Sequence, residues 1–379
     1  MPAVVESHAQ ERRTSPVELL WDLVFVFAVT QVTTLLSRGL TWAHFGRSML
    51  VLALVWWAWS AFVWAANAQR PDSWTVPAVL LPAMACIFIT GIAVPHAFSN
   101  EAPLFAASYV AVRLLHLVLY ADASRRGTAA WSAIAGFALT VVIGMALLLA
   151  GSFLGGAVRV SLWGAAALID YAGPLLTRRR LRGLQEVGVA HFAERYGLFL
   201  IIALGESIVA IGARTRLEAV DAGLIGSAVL CLLITIGLWW TYFGRFAGRA
   251  ESKLRAHKEP VLAASDAYSY LHLLLVAGII VFAVGARAVV AGAGGGLADP
   301  GRLALCGGVA LYLAGLVAVG WRLLGSAAIW KLGAALGLLL IGIFAGGLPG
   351  WAAALIVAAV VAGVCAAEAR LPGRLAPWT

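Results

Sequence analysis

The chain has 379 residues, of which 62% are hydrophobic and 12% charged, with a mean hydropathy of +0.92 and a formal net charge of +9. A soluble domain of this length has too little interior to hide so much apolar surface, so the composition excludes one and points to an all-α integral membrane protein. The basic residues form no stripe interleaved with aromatics, which excludes nucleic acid as a partner and leaves anionic lipid headgroups as the surface they would meet.

A helix needs about 20 apolar residues to cross the hydrocarbon core, and that ruler predicts twelve transmembrane helices, centred near residues 27, 58, 85, 111, 140, 166, 204, 233, 276, 313, 338 and 360. Stretches such as Val76–Val94 and Gly333–Ile343 carry no charge, and Pro71, Pro103, Pro260, Pro300 and Pro349 fall in the intervening loops. The apolar sequence starts only at Val17, so no cleavable signal peptide is expected. Most of the 27 Lys and Arg lie in segments on the N-terminal side of the membrane, among them Arg178, Arg195, Arg249, Lys258 and Arg322. By the positive-inside rule both termini are cytoplasmic and the protein sits in the cell membrane.

The first span opens on Ser15-Pro16-Val17-Glu18, a capping box with Pro at the first helical position. Glu18 and Asp22 are four residues apart on one face and are open to two readings: helix-dipole partners, or a cation-coordinating or proton-accepting pair at the cytoplasmic mouth. In the fourth span Arg113 and His116 share a face, and Arg113 is expected to pair with Asp22, Glu206 or Asp266. Asp170 and Tyr171, near the end of the sixth span, suit an interfacial anchor. The seventh span carries Glu194 at its edge and Glu206 midway, flanked by Gly205 and Ser207, small residues that admit a second helix or a ligand. The ninth opens on Asp266, with Tyr270 and His272 completing a polar strip that would serve either bundle hydrogen bonding or a substrate path.

Gly292–Gly296 reads as an external loop and not a nucleotide fingerprint, because no strand precedes it. The eleventh and twelfth spans are separated only by Gly346-Gly347-Leu348-Pro349-Gly350, so they form two crossings or one re-entrant pair. Gly333/Gly337 and Ala354/Ala358/Ala362 are expected helix-packing faces, where a homodimer would also form. The four cysteines, Cys86, Cys231, Cys306 and Cys365, fall in different spans without CxxC spacing, so neither disulfide, metal centre nor other cofactor is expected.

The first and seventh spans are alike. At a common offset, Val17-Glu18-Leu19 matches Ala193-Glu194-Arg195 and Thr30-Gln31-Val32 matches Glu206-Ser207-Ile208; one helix later, Trp56-Trp57-Ala58-Trp59 matches Trp239-Trp240-Thr241-Tyr242. This suggests a 6+6 parallel internal repeat: a disordered cytoplasmic N-terminus (1–14), a first six-helix repeat (15–176), a basic linker (177–192), a second repeat (193–370) and a cytoplasmic tail (371–379). Parallel repeats relate by an axis along the membrane normal, with sites near the midplane between them, here at the first and seventh helices.

Two stretches, Ser15-Pro16-Val17-Glu18-Leu19-Leu20-Trp21-Asp22-Leu23-Val24-Phe25-Val26-Phe27-Ala28-Val29-Thr30-Gln31 and Glu194-Arg195-Tyr196-Gly197-Leu198-Phe199-Leu200-Ile201-Ile202-Ala203-Leu204-Gly205-Glu206-Ser207-Ile208, resemble the bacterial low temperature requirement protein A (LtrA) family. The family usually has aromatics where Leu20 and Trp21 stand, and often His in place of Tyr196. The resemblance implies a polytopic membrane protein and carries no settled activity. Asp22-Leu23-Val24-Phe25-Val26-Phe27-Ala28-Val29-Thr30 is also similar to a run in a duplicated six-plus-six potassium-channel family, whose first helix of each repeat lines the pore; the seventh span here has Leu198 where that family has Asp.

These features favour a transporter or channel for a cation or a proton-coupled small solute, with Glu18, Asp22, Gln31, Arg113, His116, Glu194, Glu206, Ser207, Asp266, Tyr270 and His272 along its path. The alternative is an integral-membrane enzyme using a buried carboxyl on a lipid or isoprenoid, its cation intermediates steadied by aromatic faces. No DDxxD, HExxH or GxSxG motif supports the enzyme, and no catalytic residue is assigned. A third reading is an assembly protein whose buried acids all pair with one another's cations and enclose no cavity.

Overall fold

The computed structural model describes residues 14–69, 73–178, 188–215, 221–292, 296–326 and 328–370. The expected N-terminal and C-terminal segments, most of the basic linker and part of the glycine loop lie outside the described residues. Twelve long helices account for the described chain, one at each expected span: α1 (Pro16–Ser37), α2 (Trp42–Asn67), α3 (Thr75–Ala93), α4 (Ala102–Arg125), α5 (Trp131–Ser152), α6 (Gly156–Leu176), α7 (Val189–Thr215), α8 (Ala222–Phe243), α9 (Pro260–Ala291), α10 (Asp299–Leu324), α11 (Ile329–Phe344) and α12 (Gly350–Ala369). A short helix, Phe246–Arg255, links α8 to α9.

Ten of the described helices are long and apolar enough to cross a membrane. The exceptions among the twelve are α6, which carries Arg159 and Asp170, and α11, whose 16 residues give about 24 Å at 1.5 Å rise each, short of a 30 Å core. α11 and α12 are nevertheless separate helices, joined by a turn at Gly347, whose φ of 78° only glycine adopts freely. Exposed Trp42, Trp74, Trp131, Trp321 and Trp351 mark helix ends, as interfacial anchors do, while Trp21, Trp56, Trp59 and Trp163 are core residues.

α2, α9 and α10 are the most enclosed helices, and the others wrap them with one apolar face outward. In the first half α1 packs on α3, α3 on α4, α4 on α5 and α2 on α6; in the second, α7 packs on α9, α9 on α10, α10 on α11 and α8 on α12. α1 meets α7 along a seam between the halves.

The closest helix approach is not at the expected small-residue faces. A Cβ built on Gly333 or Gly337 meets nothing, because those glycines face outward on α11. The tight interface is α9 against α10, where a Cβ on Gly278, Gly285 or Gly308 would collide with the backbone of Tyr312, Leu305 or Phe282. Without a hydrophobic driving force between helices in lipid, such backbone contact is what holds them together. Gly308→Leu should therefore lower the melting temperature of the purified protein by several degrees, the signature of about 1–3 kcal/mol or more of overpacking. Gly333→Leu should leave it unchanged; equal effects of the two would contradict this packing.

Candidate functional site

The α1–α7 seam is built on two matched ladders. α1 presents Glu18 and Asp22 at i, i+4, and α7 presents His191 and Arg195 at the same spacing, so Glu18 faces His191 and Asp22 faces Arg195. Arg195 grips Asp22 with both sides of its guanidinium, Nη2 to Oδ1 at 2.6 Å and Nε to Oδ2 at 3.2 Å, and its Nη1 lies 3.1 Å from Glu18 Oε1. Trp59 on α2 donates its indole N–H to Asp22 Oδ1 (2.8 Å). Glu18 Oε2 accepts from Ser15 N (2.9 Å) and Ser15 Oγ (2.8 Å), the expected capping box, and lies 3.3 Å from His191 Nε2. Glu18, Asp22, His191 and Arg195 are all at most 2% exposed. A bidentate, charge-assisted pair with its remaining lone pairs satisfied is the geometry that offsets the cost of burying charge.

Two turns further along the seam, Glu206 of α7 accepts a hydrogen bond from Thr30 Oγ1 of α1 at 2.5 Å. Glu206 is buried and makes no ion pair among the described residues; Arg287 on α9 is the cation whose field reaches it. Ser207 is turned away, donating to Leu204 O (2.6 Å) and lying 3.2 Å from Thr235 Oγ1 on α8. Gln31 is half-buried, and Glu194 is exposed and outside the ladder.

Arg113 does not pair with Asp22, Glu206 or Asp266. Its Nη2 binds Asp170 Oδ1 of α6 at 2.7 Å, because α4 packs on α2 and α5 and is screened from the seam by α2. Asp170 is buried and is not an interfacial anchor. The pair borders a cavity of about 70 Å³ between α2, α4, α5, α6 and the start of α9, room for a few waters or a solute of a few heavy atoms. Trp57, Trp64, Tyr120 and Phe137 wall it, and His116, Ser60, Ser265 and Ser269 add polar groups.

α9 is not a regular helix. Ser265–Leu271 forms a π-helical segment, a feature often found at functional sites. The displaced carbonyls are captured by side chains. Trp56 Nε1 donates to Ser269 O (2.7 Å), and His272 Nδ1 donates to Ala267 O (2.8 Å). That leaves His272 Nε2 to accept from Tyr242 OH at 2.9 Å, which fixes the neutral ring's tautomer. Ser269 Oγ accepts from Trp64 Nε1 (2.7 Å) and lies 3.1 Å from Tyr196 OH, which in turn lies 2.6 Å from Ser60 Oγ. Tyr270 OH donates to Tyr171 O (2.7 Å), and Tyr171 stacks on Trp57 with centroids 4.0 Å apart. Asp266 follows the lining residue Ser265, and its Oδ2 is shared by Arg178 Nη2 (2.7 Å) and Arg322 Nε (2.8 Å). The ninth span thus lines the cavity through Ser265 and Ser269, while Asp266, Tyr270 and His272 are held by other partners.

The residues missed from sequence are His191, Arg195, Ser60 and Ser269. Arg195 read as a loop cation because it lies near the basic linker. The signal that could have found it is the i, i+4 pair His191/Arg195 answering Glu18/Asp22 at a constant separation.

Residues 13–366 match the family described as "Bacterial low temperature requirement A protein (LtrA)". An uncharacterized protein of Rhizobium meliloti (strain 1021) is 31% identical over 288 residues, covering 74% of this chain and 70% of that protein. No solved structure matches.

Removing one member of the ladder strands buried charge. Arg195→Gln should cost about 3–5 kcal/mol, read as a large fall in melting temperature. Arg195→Lys, which keeps the charge but loses the fork, should fall between that variant and wild type. Wild-type stability in Arg195→Gln would refute the ladder's structural weight.

Proposed function

From the premise that this chain belongs to the bacterial low temperature requirement A protein family, we propose that it is a transport protein for protons, cations or a proton-coupled small solute, with its coupling site on the α1–α7 seam. One observation carries the reading. Glu18, Asp22, Asp170 and Asp266 are each ion-paired, whereas Glu206, midway along its span, is held by a hydroxyl. An acid left without a contacting cation inside a membrane is free to bind and release a proton or a cation, and the default reading of such a residue is functional.

The proposal includes the 6+6 parallel repeat. Its support is the matched packing of the two halves and the contact between Thr30 and Glu206, which occupy corresponding positions in the repeat. Corresponding residues meet one another only beside the axis that relates the halves, where transporter sites with parallel repeats lie. The broken helix α9, with its irregular backbone beside a cavity, supports the same reading. Both termini are assigned to the cytoplasmic side of the cell membrane on the Lys and Arg distribution, which puts the ladder and the Asp266 ion pairs at the cytoplasmic end. In this arrangement the ladder is a closed cytoplasmic gate, and Glu206 is the group above it that loads and unloads. The cavity's aromatic walls favour a second reading, an enzyme acting on a lipid or isoprenoid.

Flux separates the two. Proteoliposomes with wild-type protein should carry protons or monovalent cations, and Glu206→Gln, which keeps the hydrogen bond to Thr30 but loses the charge, should abolish that flux while still inserting. Thr30→Ala should reduce it without abolishing it. Unchanged flux in Glu206→Gln would remove Glu206 from the mechanism, and no flux from folded wild type would transfer the weight to the enzyme.

A further inference from the structure

The Arg113 cavity lies across α2 from the Glu206 seam. Arg113 is 1% exposed and spends one nitrogen on Asp170, yet its Nε and Nη1 have no hydrogen-bond partner among the described residues. A guanidinium has five N–H donors and no acceptor, so three of them face an apolar interior with nothing to receive them. Arg113 itself lines the cavity, together with Ser60, Ser265 and Ser269. Three donors pointing in different directions are best met by a ligand with lone pairs on more than one oxygen, and charge-assisted bonds from Arg favour that ligand being an anion.

The charges next to the cavity have the same sign. Asp266, which follows the lining residue Ser265, has its Oδ2 shared by two guanidiniums, Arg178 and Arg322, so this neighbourhood carries an excess positive charge. A cleft with low-dielectric walls focuses such a field and raises the local concentration of anions. The walls then choose among anions. Trp57, Trp64, Tyr120 and Phe137 give a small organic acid apolar surface on the side away from its charge.

We infer that the cavity between α2, α4, α5, α6 and α9 is an oxyanion-binding site, with Arg113 as the anchoring cation and, as hydroxyl donor, whichever of Ser60 and Ser269 accepts from Tyr196 and so keeps its own O–H free. The inference deepens the reading of the chain as a solute-handling membrane protein by naming the solute's chemistry, a carboxylate or phosphate group. The cavity volume of about 70 Å³ fits a free anion of a few heavy atoms or the phosphate of a lipid headgroup.

Binding to purified full-length protein in detergent tests this without any transport, so its failure and that of the Glu206 proposal are separable. Sodium acetate, sodium phosphate and a short-chain phosphatidic acid are titrated separately while the melting temperature is followed, with sodium chloride at matched ionic strength as the control. At least one oxyanion should raise the melting temperature saturably above the chloride control. Stabilisation by acetate or phosphate identifies a free anion; stabilisation by phosphatidic acid alone identifies a lipid headgroup. Arg113→Lys keeps the ion pair with Asp170 but lacks the Nε and Nη1 donors, and should shift half-saturation by about tenfold or more. Should that variant fold poorly, Arg113→Gln with Asp170→Asn, which removes both charges at once, should abolish the response. The site is refuted if no oxyanion stabilises wild type beyond chloride, or if Arg113→Lys and the double variant both respond as wild type does.

Discussion

Two carboxylates four residues apart on one helix can be buried in a membrane bundle only if partners for them are built to the same spacing on the helix that faces them. α1 and α7 meet that condition, and Arg195 joins the two acids into one unit by binding Asp22 with a fork and approaching Glu18 with its remaining nitrogen. The consequence is a fixed register between the two helices. A shift of either by one residue would rotate the acids off the bases and leave charge uncompensated in a medium that cannot solvate it. With that register set, Thr30 and Glu206 are brought opposite each other two turns further along, and Trp59 ties α2 to the same point.

The bundle treats its acids in three ways, and the differences sort structure from function. Glu18 and Asp22 are locked in a ladder that stabilises the seam. Asp170 neutralises a cation that still has donors to spare, so the pair is closed on one side and open to a cavity on the other. Glu206 has hydroxyls, those of Thr30 and Thr33, and no contacting cation. Among the described residues Glu206 has no contacting cation and Arg113 keeps donors without a partner, and the two lie on opposite sides of α2. The π segment of α9 lies beside the second of these, and its displaced carbonyls are satisfied by Trp56 and His272, so the irregularity is supported by side chains from neighbouring helices.

The fold was legible because hydrophobicity reports helix position directly: every expected span centre falls inside a helix, and the capping box at Ser15 and Glu18 forms as written. What sequence could not supply was which helices face one another. Arg113 was expected to seek the acids of α1, α7 or α9, but α2 stands between, and Asp170 of α6 is the acid within reach. Arg195 was assigned to a loop since proximity to basic residues outweighed its spacing from His191. The glycines that matter, Gly278, Gly285 and Gly308, lie seven or more residues apart on two helices, so no short motif announces them, whereas Gly333 and Gly337 fit a motif and pack against nothing. The π segment has no sequence signature beyond a cluster of polar and aromatic residues, Ser265 to His272.

The most direct test of the seam is a double-mutant cycle on Asp22→Asn and Arg195→Gln, followed by thermal unfolding in one detergent, with the exposed pair Asp122 and Arg126 as reference. The cycle isolates the interaction from whatever each substitution does alone. The account predicts a coupling energy of about 2 kcal/mol or more for the buried pair, against about 0.2–1 kcal/mol for the exposed one. Additive effects of Asp22→Asn and Arg195→Gln would contradict it, and would mean that α1 and α7 are held in register by something other than this contact.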